Sequence, residues 1–181
     1  MYGIVNKAIK ELVVANFGEE KWEVVREKSG VDIDFFLSYE PYDDEITFKL
    51  ATAVSEEMKM PIEEVLSAFG EWWILKTTKD NYGSLMDSGG STLKEFILNL
   101  PNFHNRLTLV YPKLSPPEFK ISAIQNDSLL LHYVSTRFGF QEFVRGLLQG
   151  LAQRFQENIE IQLIQSRNEG HSHEIFKIIW V

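Results

Sequence analysis

Apolar residues recur at helical spacing from the start of the chain. Ile4, Val5, Ala8, Ile9, Leu12, Val13 and Phe17 form one stripe, and Gly18 follows as a stop. A second helix around Trp22, Val25 and Arg26 is expected to end near Gly30, and residues 41–45 read as the start of a third. Pro61 stands where a first-turn proline belongs, with Val65, Leu66, Phe69, Trp72 and Trp73 as the buried side of the helix behind it. Residues 87–91, Asp-Ser-Gly-Gly-Ser, read as a loop. Thr92 and Glu95 then have capping-box spacing. They open a stripe of Leu93, Phe96, Ile97, Leu100, Phe103, His104, Leu107 and Tyr111, in which Pro101 predicts a kink or a fresh start.

After Pro112 the period changes. Residues 118–125 and 128–134 read as strands joined by a tight turn at Asn126-Asp127. Residues 140–155 read as a helix, and 158–165 and 174–180 as two more strands joined through Asn168-Glu169-Gly170. Helices first, then strand-strand-helix-strand-strand, predict an α+β fold with a four-stranded antiparallel sheet.

At 181 residues the chain can bury a sizeable core, and 13 Phe with 4 Trp make that core or a pocket within it aromatic-rich. The net charge of −8, without any Lys/Arg run, argues against nucleic acid and anionic membranes as partners. An anionic ligand would therefore have to be held by specific donors. With no cysteine, disulfides, thiolate metal sites and cysteine nucleophiles are excluded. The first residues lack the layout of a signal peptide and no apolar run is long enough for a membrane span, so a cytoplasmic protein is expected.

Two features carry chemistry. His104 is the one histidine of four that falls on an amphipathic stripe among large apolar residues. An imidazole facing an apolar cavity suits an axial ligand for haem iron, although a histidine so placed is more often a boundary residue with a backbone partner. The second feature is Tyr133-Val134-Ser135-Thr136-Arg137. In extended chain Tyr133, Ser135 and Arg137 project to one side and offer two hydroxyls and a guanidinium, a set that can bind neighbouring carboxylates. Taken alone it reads first as a strand end whose polar residues face water. His171 and His173 could share a metal but more often lie in a solvated turn, and Gly89-Gly90 lacks the Lys-Ser/Thr of a phosphate loop.

Together these residues resemble the H-NOX family, the haem nitric oxide/oxygen-binding domains related to the sensor region of soluble guanylate cyclase. The resemblance extends to the opening Met1-Tyr2-Gly3-Ile4-Val5-Asn6-Lys7-Ala8-Ile9, to Phe69-Gly70-Glu71-Trp72-Trp73, to Pro116-Pro117 and to the final strand from Glu174 to Ile178. It implies a single domain over 1–181, with a helical subdomain over roughly 1–60 and a helix-plus-sheet subdomain over 61–181. It implies haem b, with His104 as proximal iron ligand and Tyr133, Ser135 and Arg137 holding the propionates. Asp43, with Asp44 beside it, falls where the family places an acidic partner for the motif arginine. Ile4 and Pro117 match positions that press on the porphyrin, and Ala8, Trp73, Phe143 and Leu147 positions that line the side opposite His104.

The resemblance further implies a gas sensor without catalysis. Oxygen-binding relatives carry a tyrosine where Phe143 aligns, so nitric oxide and carbon monoxide are the expected ligands, with the Trp73 indole N–H as the remaining donor. Gas binding would release His104, and the resemblance implies a histidine kinase or diguanylate cyclase that reads the change, either as another polypeptide or as a C-terminal portion beyond Val181. The rival readings are a haem carrier without signalling and a haem enzyme, the latter disfavoured because no distal His/Arg pair is evident.

Overall fold

In the computed structural model all 181 residues are described apart from the side chain of Val110. The first helices are α1 (Gly3–Phe17), α2 (Glu19–Ser29) and α3 (Asp44–Met58). Gly30, in the left-handed region at φ 64°, ends α2, whose first turn is acidic and last turn basic, as the helix dipole favours. Then come α4 (Ile62–Trp72), α5 (Lys79–Asp87) and α6 (Leu93–Val110). Thr92 caps α6 by accepting from Glu95 N–H, while the Glu95 carboxylate reaches back to accept from Ser91 N–H. The helix runs unbroken through Pro101, so no fresh start occurs there.

Between α4 and α5 the backbone widens into a π-helical segment, Trp73–Thr78. Inside α5, Tyr82 leaves helical geometry (φ −138°, ψ 23°). The sequence pattern is silent over this stretch, because an irregular helix has no fixed period to display.

Four strands, β1 (Glu118–Ser122), β2 (Ser128–Val134), β3 (Ile159–Gln165) and β4 (Glu174–Trp180), form an antiparallel sheet in the order β1-β2-β4-β3, with helix α7 (Gln141–Phe155) between β2 and β3. Strand β1 is shorter than predicted. Ala123 turns to φ 47° and the Gln125 N–H donates to Ser128 O, so the connection begins before Asn126. Phe119 lies opposite Tyr133, and Leu131 opposite Phe176. These residues, with Ile178, face α6 and α7 and pack on Phe96, Ile97, Leu100, Phe103, Val144, Leu148 and Leu151. A second core joins α1, α2 and α3 to one side of α4 through Ala8, Ile9, Trp22, Leu50, Val65 and Phe69.

Helices α4 and α7 cross at two glycines. A Cβ on Gly146 would collide with the Ser67 carbonyl, and one on Gly70 with the Phe143 carbonyl. Only residues without a side chain allow backbones this close. The crossing sets Phe69 of α4 against Phe143 of α7 at 4.9 Å between ring centres, with Trp73, just past α4, edge-on to Phe69.

Candidate functional site

The two cores leave an apolar cavity between α1, α4, α6, α7 and the sheet. Its space, mouth included, is about 1150 Å³.

His104 lines it from α6. The Nδ1 atom lies 3.2 Å from the Pro117 carbonyl oxygen. A carbonyl can only accept, so Nδ1 carries the hydrogen, and in the neutral ring Nε2 holds a lone pair. Among the described residues Nε2 has no hydrogen-bond partner. Burial pushes the imidazole pKa below its ordinary value, against the bond to Pro117, and favours the neutral form that can bind a metal. Phe103 and Phe119 flank the ring.

Tyr133 and Arg137 lie on the cavity wall. Burial pushes the Tyr133 phenol up, offset in part by the Ser135 hydroxyl, so it stays a protonated donor. Ser135 does not line the wall. It stands past the end of β2, and its hydroxyl accepts from Arg137 N–H at 3.0 Å, which curls the motif into a turn. The Arg137 side chain donates from Nε to Asp44 Oδ2 at 2.7 Å and from Nη1 to Ser115 O at 2.9 Å, leaving Nη2 uncommitted among the described residues. The acidic partner is therefore Asp44 rather than Asp43, because the first turn of α3 directs Asp44 toward the motif.

Ile4, Pro117, Trp73, Phe143 and Leu147 all line the cavity. Ala8 does not; it is fully buried behind the wall among Ile9, Val13 and Trp22. Three tyrosines that sequence reading missed do line it: Tyr2, Tyr82 and Tyr111. The Tyr82 and Tyr111 hydroxyls are hydrogen-bonded to each other, and Tyr2 packs edge-on to Tyr111. Burial pushes the Tyr111 phenol up to about 12. Periodicity carries Tyr111 only as the last member of the α6 stripe, and Tyr82 sits in the irregular helix, so neither is marked as a cavity residue. His173, just before β4, meets His132 on β2, Nδ1 of His132 to Nε2 of His173 at 3.0 Å, rather than pairing with His171.

The donor set suits a flat apolar group that carries a metal at its centre and carboxylates at its edge: one neutral imidazole, apolar walls, and Tyr133 with Arg137 at one side. A helical shell and antiparallel sheet closed around such a cavity make this an α+β domain of the ligand-enclosing class. The family model described as Haem-NO-binding (HNOB) matches residues 2–163, and the chain belongs to this family, also called H-NOX. In sequence it is similar to soluble guanylate cyclase gcy-31 of Caenorhabditis elegans, 29% identical over 93% of this chain and 24% of that protein. It is also similar to rat guanylate cyclase soluble subunit beta-2, 31% identical over 60% of this chain and 16% of that protein. The chain thus spans about a quarter or less of the length of these relatives.

In structure it is similar to an H-NOX protein from S. oneidensis in the Fe(II)NO ligation state, with a TM-score of 0.92 at 24% identity, covering 100% of this chain and 99% of that one. The unliganded Fe(II) H-NOX protein from K. algicida gives 0.89 at 22% identity, covering 100% and 97%. These likenesses bear out the predicted α+β fold with its antiparallel sheet. Among the described residues no helix is long and apolar enough to cross a membrane.

Proposed function

We propose that this chain is a cytoplasmic gas sensor that binds haem b in the cavity. His104 is its one protein ligand to iron, and Tyr133, Ser135 and Arg137 surround the haem carboxylates. The observation that carries this reading is the hydrogen bond from His104 Nδ1 to Pro117 O, which leaves a neutral Nε2 facing an apolar cavity with cationic and phenolic donors on its wall.

When bound, the haem supplies an iron centre to which a diatomic gas can add. The residues do the rest. Pro117 orients the imidazole through its carbonyl, and the Pro117 and Ile4 side chains on the wall would meet the bound group. Arg137 contributes a guanidinium already aimed by Asp44 and Ser115, so little side-chain freedom is lost on binding.

Elsewhere on the wall Trp73, Phe143 and Leu147 present apolar surface; the donors near them are the Trp73 indole N–H and the Tyr82 and Tyr111 hydroxyls, which are already bonded to each other. Nitric oxide and carbon monoxide bind without a donor, whereas oxygen takes on negative charge and depends on one. The site therefore favours the first two. An imidazole not held by a metal would keep only its bond to Pro117 O, which would leave α6 freer to shift relative to the sheet. A partner, such as a histidine kinase, a diguanylate cyclase or a cyclase, reads the changed population of two shapes.

The visible spectrum of the purified ferrous protein tests this directly. Nitric oxide and carbon monoxide should shift it and air should leave no stable oxygenated spectrum. A protein that carries no haem, or whose spectrum ignores nitric oxide, would overturn the proposal.

A further inference from the structure

The connection from β3 to β4 carries a side chain that no sequence pattern singles out. Arg167 reaches back under the end of β2. Its Nε donates to both carboxylate oxygens of Glu174, at 2.8 and 3.0 Å. Its Nη1 donates to the Ser135 carbonyl at 2.8 Å and its Nη2 to the Arg137 carbonyl at 2.6 Å. The exposed ring of Phe138 lies over the guanidinium, 5.4 Å from its centre. Glu174 is 2% exposed and the Arg167 side chain 13%.

Strand β2 ends at Val134, so beyond it Ser135 and Arg137 have no ladder partner to hold their backbone. Arg167 takes the place of a neighbouring strand. A planar fork fixes two acceptors relative to each other as well as to the protein, which a lysine ammonium cannot do. A carboxylate as buried as Glu174 is costly without its partner, so each charge holds the other in place. The carbonyls engaged belong to the two residues whose side chains the cavity reading uses, not to Val134 or Thr136 between them.

We infer that Arg167, held by Glu174, is a positioning residue for haem binding: it sets the backbone at Ser135 and Arg137 so that their side chains meet the haem carboxylates. This rests on the role given above to residues 133–137.

The test compares holoprotein loaded with haem against holoprotein loaded with haem dimethyl ester, which keeps the ring and iron but has no free carboxylates. Release of each into an apo-globin acceptor is timed. The native chain should hold haem longer than the ester. Arg167→Met should shed haem roughly ten- to a hundredfold faster, the scale of one sheltered charge-assisted hydrogen bond, with ester release near the native rate. Equal acceleration of both would mark a merely structural role and overturn the inference. Arg167→Lys keeps the charge without the fork and should behave like Arg167→Met; full rescue by lysine also overturns it. If Arg167→Met does not fold, Arg167→Lys and Phe138→Ala decide by the same comparison. Arg137→Ala separates the two claims. If it too leaves the haem-to-ester ratio unchanged, the role given to residues 133–137 fails. If it abolishes the ratio while the Arg167 variants keep it, only the positioning role fails.

Discussion

Asp44 and Arg137 join the helical half of the molecule to the motif at the end of β2: Asp44 Oδ2 accepts from Arg137 Nε at 2.7 Å while its other oxygen accepts from the Met1 ammonium. Burial pulls the Asp44 carboxyl up, but the hydrogen bond from the ammonium and the Arg137 charge outweigh it and hold the pKa below its ordinary 3.8. The folded state thus favours the carboxylate. Its contribution is present above the unfolded value and is lost as pH falls through the lower folded one.

Asp44→Asn should therefore lower stability at neutral pH by about 1 kcal/mol or less, because the pair is partly solvated. The gap to the native chain should close as pH falls below about 3.8. Urea melts of the two chains from pH 7 down to 2.5 measure it. Asp43→Asn is the control and should leave the melts unchanged; the reverse pattern would return the pairing to Asp43.

His104→Gly removes the one imidazole on the cavity wall. Protein purified without imidazole should lack the native ferrous spectrum, and added imidazole should restore a ligated one. An unchanged spectrum without imidazole would mean that another side chain holds the iron.

Phe143→Tyr places a hydroxyl on the cavity wall. Oxygen affinity should rise by roughly tenfold if that hydroxyl donates one hydrogen bond to the ligand, with carbon monoxide affinity little changed. Gas titration of both proteins checks this. Stable oxygen binding by the native chain would point instead to Trp73, or to the Tyr82–Tyr111 hydroxyl pair, as a donor already in place.

Gly146→Ala adds one methyl where α7 meets the Ser67 carbonyl. The helices must part, and overpacking of this kind typically costs about 1–3 kcal/mol. Phe69 and Phe143 should separate with them. Thermal melts give the first effect and haem release the second; native-like values for both would show that the crossing is looser than the contact implies.

Local rules were enough for much of this protein. The stripes of α1, α4 and α6, the Thr92 cap, the alternation of β2 and β4 and the Gly30 stop all follow from steric and hydrogen-bonding preferences that act over a few residues. They placed His104 on an apolar helix face and Tyr133 near a strand end.

Tertiary structure decided what depends on the meeting of distant segments. Asp43 and Asp44 differ by one step on a helix, and only the packing of α3 against the 133–137 segment selects the second. Ala8 shares a stripe with Ile4 and Val5, yet α1 is wide enough to turn those two to the cavity and Ala8 to the core behind it. Tyr82 reaches the cavity through a break in helical geometry, and Arg167 reaches Ser135 and Arg137 across 32 and 30 residues of chain. Sequence periodicity reports which face of an element is apolar. It carries no term for which distant element that face will touch.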